Sequence, residues 1–255
     1  YYWVYFLYLP STYPWFLWSS DPDMFFDVTI IGAGVVGLSI AKFCSEKGYS
    51  VVVLEQESRA GEGISSRNSG VIHAGIYYPK DSLKTKFCIS GNNLLYKYAS
   101  FKRINYRKIG KYIVASHKND LEKLHKIYQH GKTNSVELIF IANKKIKEIY
   151  PDLKIEEAIF SPNTGIIDVP ELISSLEGDI QYNSGIVAFN TKFIAAEKIE
   201  KGFKIQCDDG NKYQIDTHNL INASGLYSDV ISKKIDVLKD KNFLTVKYAK
   251  GHYFK

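Results

Sequence analysis

Three glycines and one glutamate near the start of the sequence have the spacing of a nucleotide-binding turn. Gly32, Gly34 and Gly37 follow the pattern GxGxxG, and Glu55 comes 23 residues after the first of them. The first glycine permits a tight turn, the second lets the backbone approach a pyrophosphate, and the third lets a helix pack against a strand. A glutamate at this distance can accept hydrogen bonds from both ribose hydroxyls. These residues predict an adenine dinucleotide without a 2′-phosphate, which argues against NADP.

The surrounding sequence predicts the elements that such a turn requires. Residues 25–31 and 51–54 are apolar runs typical of strands, whereas residues 35–47 have helical periodicity and stop at Gly48. The order is that of a β-α-β unit, in which a phosphate meets the N-terminus of the helix. A GxGxxG pattern also occurs in ordinary surface turns, and it recognises the ADP portion that NAD and FAD share. The motif alone therefore leaves the cofactor open.

The composition is that of an ordinary globular protein. The chain has 255 residues, of which 45% are hydrophobic and 24% charged, and this excludes collagen, coiled coil and bulk disorder. Three cysteines without CxxC or Cys/His spacing predict neither a disulfide framework nor a metal site, and they favour a reducing cytoplasm. The net charge of +6 comes from scattered lysines, so we expect no nucleic-acid partner. An acidic substrate, or peripheral contact with the inner face of a membrane, is compatible with this charge.

The first twenty residues differ in composition from the rest. They contain all three tryptophans and no charged residue. Pro10 and Pro14 interrupt the segment and no basic residue flanks it, which argues against a membrane span or a signal peptide. Met24, the only methionine, stands directly before the first predicted strand. We therefore expect residues 1–23 to be a non-native or unstructured extension.

Two further segments carry a resemblance to a known family. Residues 65–79 read SSRNSGVIHAGIYYP, and residues 222–229 read NASGLYSD. Together they resemble the FAD-dependent oxidoreductases of the D-amino-acid oxidase type, and are most similar to the L-2-hydroxyglutarate dehydrogenase/oxidase branch. The likeness continues through residues 110–115, 164–168 and 250–254. It thus extends from Met24 to Lys255.

The resemblance implies a fold class and a domain layout. The expected fold is α/β, with a Rossmann-like FAD-binding domain interleaved with a mainly antiparallel β-sheet substrate domain. We assign residues 24–80 and 171–235 to the FAD-binding domain, and residues 81–170 and 236–255 to the substrate domain. Members of this family normally continue past the point at which this sequence stops. We therefore expect the chain to be C-terminally truncated, with an incomplete substrate domain.

The remaining sequence predicts further elements. Helical patterns cover residues 82–100, 120–131 and 228–235. Short strands are predicted over residues 111–115, 192–200, 203–207, 213–216 and 220–223, with a hairpin turn around residues 208–211.

The resemblance also implies which residues would bind FAD. In addition to the GxGxxG turn and Glu55, these are Arg67, Asn68 and Ser69 on a loop passing the pyrophosphate and ribityl chain, and Phe193, Ala223 and Gly225, whose backbone would face the cofactor. An alternative for Arg67 is a solvated loop arginine. Phe193 is also expected to be a core aromatic, since it lies in a predicted strand.

His73 is the catalytic candidate within the resembling motif. An imidazole titrates near neutral pH and can accept a hydroxyl proton. The alternative is a histidine that packs against or supports the flavin. Tyr77, Tyr78 and Tyr253 are the candidate substrate contacts, although a tyrosine pair is also typical of half-buried packing. We expect His117, His125, His130 and His218 to be ordinary surface groups.

The predicted function is FAD-dependent oxidation of an L-2-hydroxy acid, with L-2-hydroxyglutarate converted to 2-oxoglutarate and a quinone or oxygen as the electron acceptor. A second carboxylate on the substrate needs a cation. Lys84, Lys86 and Lys250 could each supply it, and the sequence gives no basis for choosing among them.

The first alternative is another flavoenzyme of this type, a glycerol-3-phosphate dehydrogenase or an amino-acid oxidase. Glycerol-3-phosphate enzymes typically carry an arginine beside the tyrosine, which Ile76-Tyr77-Tyr78 lacks. The second alternative is an inactive FAD-binding fragment.

Overall fold

The structure, a computed structural model, describes residues 25–239, 241, 245–249 and 251. The predicted extension over residues 1–23 lies outside the described residues, as do Lys250, His252 and Tyr253. The chain divides into two compact units. The first comprises the described parts of Tyr1–Glu62 and Glu177–Lys255, and the second comprises Gly63–Leu176.

Strands and helices are interspersed along the described residues. The strands are β1 (Phe25–Ile31), β2 (Val51–Leu54), β3 (Val71–Ile72), β4 (Tyr106–Arg107), β5 (Lys111–Ala115), β6 (Ile139–Ile141), β7 (Glu157–Ser161), β8 (Gly165–Ile167), β9 (Ile186–Ala188), β10 (Lys192–Ile199), β11 (Gly202–Asp208) and β12 (Lys212–Asn222). The helices are α1 (Val35–Glu46), α2 (Leu83–Lys102), α3 (Leu121–Thr133), α4 (Asn143–Ile149), α5 (Val169–Tyr182) and α6 (Ser228–Ser232). The predictions for β1, β2, β5 and α1 agree with these bounds to within one residue.

The first unit contains a mixed six-stranded sheet in the order β10-β11-β12-β1-β2-β9. The strands β12, β1, β2 and β9 are parallel, and β10, β11 and β12 form an antiparallel meander. All four residues of β2 are buried, as is most of β1. Parallel strands of this kind are covered on both faces, which explains why the sequence shows continuous apolar runs there.

Strand β12 differs from the prediction, which divided it into two short strands. Its first part pairs antiparallel with β11, and its last part pairs parallel with β1. The polar residues between the two parts stay in the strand because carbonyl groups of β1 accept hydrogen bonds from their side chains. Thr217 is fully buried and its hydroxyl donates to the carbonyl of Phe26, while the Asn219 amide donates to the carbonyl of Asp27. Local polarity therefore gave the wrong prediction of a break.

Helix α6 is shorter than the predicted helix over residues 228–235. It ends at Ser232, and Ile235 forms an isolated parallel bridge with Ala196 of β10. The Ala196 amide donates to the carbonyl of Lys234, and the Ile235 side chain is buried in the core beside the sheet. The helix therefore ends before residue 235, because the backbone there pairs with β10.

The second unit contains two three-stranded antiparallel sheets. Their orders are β3-β8-β4 and β5-β7-β6. Its core includes Ile76, Ala115, Leu124 and Ile159, all of which are buried. The predicted helices over residues 82–100 and 120–131 are observed as α2 and α3, and each extends two residues further at its C-terminal end.

The predicted α/β class, with a Rossmann-like parallel unit and antiparallel sheets elsewhere, is confirmed. The boundaries of the two compact units, at residues 62/63 and 176/177, differ from the predicted domain boundaries after residues 80, 170 and 235. The assignment of cofactor and substrate roles to these segments stays a prediction. Within the part of the chain that the structure describes, no helix has both the length and the apolar character needed to cross a bilayer.

Helix α2 begins with a side-chain cap that can be tested by substitution. The Ser82 hydroxyl accepts a hydrogen bond from the Thr85 amide at 3.1 Å. We expect Ser82→Ala to lower the free energy of unfolding by about 1 kcal/mol, because an N-cap acceptor is lost. Urea denaturation measures this change. The matched control is Ser90→Ala, since the Ser90 hydroxyl only donates to the Lys86 carbonyl within the same helix. An equal loss in both variants would contradict the capping role.

Candidate functional site

The glycine turn of the first unit has no room for a side chain at Gly32 or at Gly37. Gly32 has a φ of +102°, and a Cβ there would lie 2.8 Å from the carbonyl oxygen of Ala223. A Cβ on Gly37 would collide with the carbonyl oxygen of Gly32. Gly34 is the N-cap of α1 and has no side chain with which to cap the helix. The turn therefore packs closely against β12 and directs the N-terminus of α1 toward any bound anion.

Glu55 holds this turn with its carboxylate. Its Oε2 accepts a hydrogen bond from the Ala33 amide at 2.7 Å, and its Oε1 accepts one from the Glu57 amide at 3.0 Å. Each oxygen of an ionised carboxylate has a second acceptor site. Glu55 can therefore fix the turn and still accept hydrogen bonds from ribose hydroxyls.

The segment between β9 and β10 is bonded to the main chain around Glu55. The Glu55 amide donates to the carbonyl of Ala188, and the Thr191 amide donates to the carbonyl of Glu55. These bonds fix the start of β10, where Phe193 has only 3% of its surface exposed. The Phe193 side chain packs in the core, as the sequence predicted. The strand pairing shifts register between Phe193 and Ala195. A contact of its backbone with a cofactor stays a prediction.

Ala223 and Gly225 follow the end of β12. The Ala223 amide donates to the carbonyl of Ile31, which extends the pairing with β1 by one residue. Gly225 has a φ of +57° and begins a 3₁₀ turn. Ala223, the glycine turn and Glu55 all lie at the carboxyl ends of neighbouring parallel strands, the edge at which ligands bind in such sheets.

These residues of the first unit fit the ADP portion of FAD. A turn that is closed to a Cβ at Gly32 and Gly37, a helix N-terminus and a glutamate with acceptor capacity are the features that a pyrophosphate and a ribose require. The same features suit the ADP portion of NAD, so the choice between the two depends on other observations.

The loop with Arg67, Asn68 and Ser69 belongs to the second unit. The Asn68 amide donates to the Ser65 carbonyl at 2.8 Å, and its oxygen accepts from the Gly70 amide at 2.7 Å. Asn68 therefore supports the shape of its own loop. Arg67 and Ser69 are exposed. The roles of all three toward a cofactor stay predictions.

His73 directly follows β3, and its ring is partly exposed. Burial lowers the pKa of His73 below its usual value, and the charges of Lys111 and then Lys84 lower it further. A positive charge nearby disfavours the protonated ring. His73 is therefore neutral at pH 7 and has the protonation state that accepts a proton.

A buried asparagine that the sequence analysis missed positions His73. The Asn92 amide nitrogen donates to the carbonyl of His73 at 3.0 Å and to the carbonyl of Asn163 at 2.9 Å. Asn92 lies in α2 and has 7% of its surface exposed. It thus ties the loop after β3 to the turn between β7 and β8. A polar residue on the inner face of a predicted helix is the only signal that the sequence offered for this role.

Tyr77 and Tyr78 each have a lysine above the ring. The Lys111 Nζ lies 4.8 Å from the ring centre of Tyr77, and the Lys84 Nζ lies 4.4 Å from that of Tyr78. Burial, and secondarily Cys88, raises the pKa of Tyr78. Tyr78 therefore keeps its proton at neutral pH and can act as a hydrogen-bond donor.

His130 was expected to be an ordinary surface group, and this expectation was wrong. Its Nε2 lies 2.7 Å from the carbonyl oxygen of Tyr78, so this nitrogen must donate. The Asn134 amide donates to the same carbonyl at 2.9 Å. Helix α3 and the residue after it therefore hold the backbone of the tyrosine pair.

The structure thus pairs Tyr77 and Tyr78 with two lysines of the second unit, and the charges of the same lysines lower the pKa of His73. Lys84 was one of the three lysines considered from the sequence, and Lys111 was not. Lys86 lines a cavity together with Lys80 and Asn134, and neither Tyr77 nor Tyr78 lines that cavity.

The charge of Lys111 can be tested through the titration of His73. We expect Lys111→Met to raise the pKa of His73 toward its ordinary value of about 6.5, because a repelling charge is removed. NMR titration of the imidazole signals measures this shift. The control is Lys132→Met, since Lys132 also lies over a tyrosine, 5.0 Å from the ring centre of Tyr128. A His73 pKa that falls or stays constant in the Lys111 variant would contradict this electrostatic coupling.

Comparison with known sequences gives a consistent family assignment. Residues 27–255 match the model of the DAO family, described as FAD dependent oxidoreductase. The mitochondrial L-2-hydroxyglutarate dehydrogenase of Arabidopsis thaliana is 33% identical over 257 residues, covering 89% of this chain and 53% of that protein. The human protein of the same name is 36% identical over 221 residues, covering 82% and 48%. The chain spans about half the length of the curated relatives it matches.

Solved structures have the same fold. L-alpha-glycerophosphate oxidase from Mycoplasma pneumoniae with FAD bound has a TM-score of 0.77 at 24% identity, covering 83% of this chain and 57% of that chain. Glycine oxidase from Geobacillus kaustophilus has a TM-score of 0.74 at 18% identity, covering 83% and 58%. Because the family model extends from the first strand of the nucleotide-binding unit to the last residue of the sequence, this chain belongs to the DAO family of FAD-dependent oxidoreductases.

Proposed function

We propose that this chain provides the ADP-binding turn and a substrate-binding region of an enzyme that oxidises an L-2-hydroxy acid, with L-2-hydroxyglutarate converted to 2-oxoglutarate. The observation that carries this proposal is the pair of lysines over the tyrosine pair, with the Lys84 Nζ 4.4 Å from the ring centre of Tyr78 and the Lys111 Nζ 4.8 Å from that of Tyr77. His73 stands four residues before Tyr77 in the same segment. The names of the relatives that are about one third identical support the same substrate.

Oxidation of a secondary alcohol removes the hydroxyl proton and, from carbon, a hydrogen with its electron pair. His73 would accept the hydroxyl proton, for which its neutral state is required. Lys84 and Lys111 favour negative charge on a substrate close to His73. The Asn92 amide fixes the backbone of His73, which limits the orientations of its ring.

FAD, when bound, supplies the acceptor for the hydrogen and electron pair that leave carbon. Gly32, Gly37 and Glu55 would hold its ADP portion through close backbone approach and hydrogen bonds to the ribose. A quinone or oxygen would then take up the electrons. Peripheral contact with the inner face of a membrane and a cytoplasmic location remain part of this proposal, although several relatives are named as mitochondrial.

Two other functions remain to be separated by experiment. Oxidation of glycerol 3-phosphate or of an amino acid is favoured by the structural similarity to a glycerophosphate oxidase and a glycine oxidase. Binding of FAD without catalysis is the second of these functions.

The cofactor site can be tested at Glu55. We expect Glu55→Gln to weaken FAD binding by roughly tenfold or more, since hydrogen bonds to a charged acceptor contribute about 1.5–3 kcal/mol. The glutamine NH₂ group would also face one of the two amides that now donate to the carboxylate. Equilibrium dialysis with FAD measures the affinity. Glu46→Gln is the control, because Glu46 pairs with Lys42 on the exposed side of α1. Equal affinities for the wild-type and Glu55→Gln proteins would refute the assigned role.

The catalytic role can be tested by anaerobic reduction of the FAD-loaded chain. We expect L-2-hydroxyglutarate to bleach the flavin absorbance, and His73→Ala to slow this by about 10²- to 10⁴-fold. Because the pKa of His73 is lowered, the wild-type rate should be constant above pH 7 and fall only in acid. His117→Ala is the control, since His117 is exposed and lies near Asp120. Bleaching only by glycerol 3-phosphate or glycine would replace the proposed substrate, and no bleaching would favour the binding-only function.

A further inference from the structure

We infer that Lys84 and Lys111 form, with Tyr77 and Tyr78, a binding site for a dicarboxylate anion in the second unit. This inference rests on the proposed function and extends it: the two lysines select dicarboxylic over monocarboxylic 2-hydroxy acids. The argument uses only residues of the second unit.

The two lysines come from separate elements and meet at adjacent residues. Lys84 is in the first turn of α2, and Lys111 is the first residue of β5. Their ammonium groups lie over the rings of Tyr78 and Tyr77, respectively. The two cations therefore lie over the side chains of two successive residues. Cation–π contact holds each lysine without neutralising its charge.

Neither lysine has an acidic partner among the residues that the structure describes. By contrast, Lys126 pairs with Glu122 on the exposed side of α3. The charges of Lys111 and Lys84 also add to the effect of burial in lowering the pKa of His73. Such a concentration of like charge is unfavourable by itself and becomes favourable when an anion binds.

Two separate ammonium groups match an anion with two charges. One carboxylate next to the reacting carbon would use one of them, and a distal carboxylate would use the other. A monocarboxylate would leave one lysine without a counterion. A phosphate monoester carries a comparable charge on a single group. The experiment must therefore distinguish binding of a dicarboxylate from binding of a phosphate group.

The positions of the two lysines are coupled through Asn92. The Asn92 amide donates to the carbonyls of His73 and Asn163, and Lys111 pairs across the sheet with Ser161, two residues before Asn163. One buried side chain thus fixes the strand of Lys111 relative to the His73 loop. Buried hydrogen bonds thus connect the helix that carries Lys84 to the loop of His73 and to the turn beside the strand of Lys111.

The test uses glutarate, a dicarboxylate that cannot be oxidised at a hydroxyl group, with the 255-residue chain in calorimetric titrations. We expect glutarate to bind, and Lys84→Met and Lys111→Met each to weaken it by roughly tenfold or more, because each removes a hydrogen bond between charged groups. Lys84→Arg and Lys111→Arg should retain most of the affinity. Lys132→Met, the tyrosine-facing control on α3, should bind glutarate as the wild type does.

Several results would overturn the inference. These are no binding of glutarate by the wild type, equal loss of affinity in the Lys132 variant, equally tight binding of butyrate, or tighter binding of inorganic phosphate. If circular dichroism shows that a methionine variant does not fold, the NMR chemical shifts of backbone amides in the wild type test the location of the site instead. Glutarate must then shift the signals of Tyr77, Tyr78, Lys84 and Lys111, and shifts confined to other residues would refute the site. The titration needs no flavin, so its failure is distinct from failure of FAD binding or of alcohol oxidation.

Discussion

The hydrogen bond from the Ala33 amide to the Glu55 carboxylate is the constraint on which the nucleotide-binding unit depends. It joins the turn after β1 to the end of β2. The backbone of Glu55 in turn bonds to the segment between β9 and β10. One residue therefore connects three consecutive parts of the carboxyl edge of the sheet. A glutamate serves here because its two oxygens can satisfy backbone amides and still accept further hydrogen bonds.

In the second unit, Asn92 joins separate segments as Glu55 does in the first. A buried amide that donates to two carbonyls from distant loops is expensive to remove, because both acceptors would then be left without a partner. Its place in the middle of a long helix makes it a rigid reference point for His73 and for the turn beside β5. The position of the His73 backbone thus depends on a buried residue of another element.

The charges around His73 have two linked effects. The lysines make protonation of the imidazole less favourable, which keeps it able to accept a proton. Under the proposed function, the same lysines would attract the anion whose hydroxyl is deprotonated. Binding of that anion would offset the repulsion and make it easier for His73 to take up the proton. In this proposal, substrate recognition and the protonation state of His73 both depend on one pair of cations.

The sequence by itself determined the nucleotide-binding turn and the elements around it. Gly32, Gly37 and Glu55 are restricted by local geometry, and buried parallel strands show as continuous apolar runs, so both can be read from short segments. The resemblance of residues 65–79 to a known family added His73 and the tyrosine pair.

Only the tertiary structure decided the continuity of β12, the early end of α6, and the positions of Asn92 and Lys111. Each of these depends on a partner far along the chain. Thr217 stays in its strand because β1 accepts its hydrogen bond, and Lys111 reaches Tyr77 because β5 pairs with β7. Neither composition nor periodicity encodes such contacts, since they form only after separate elements have packed together.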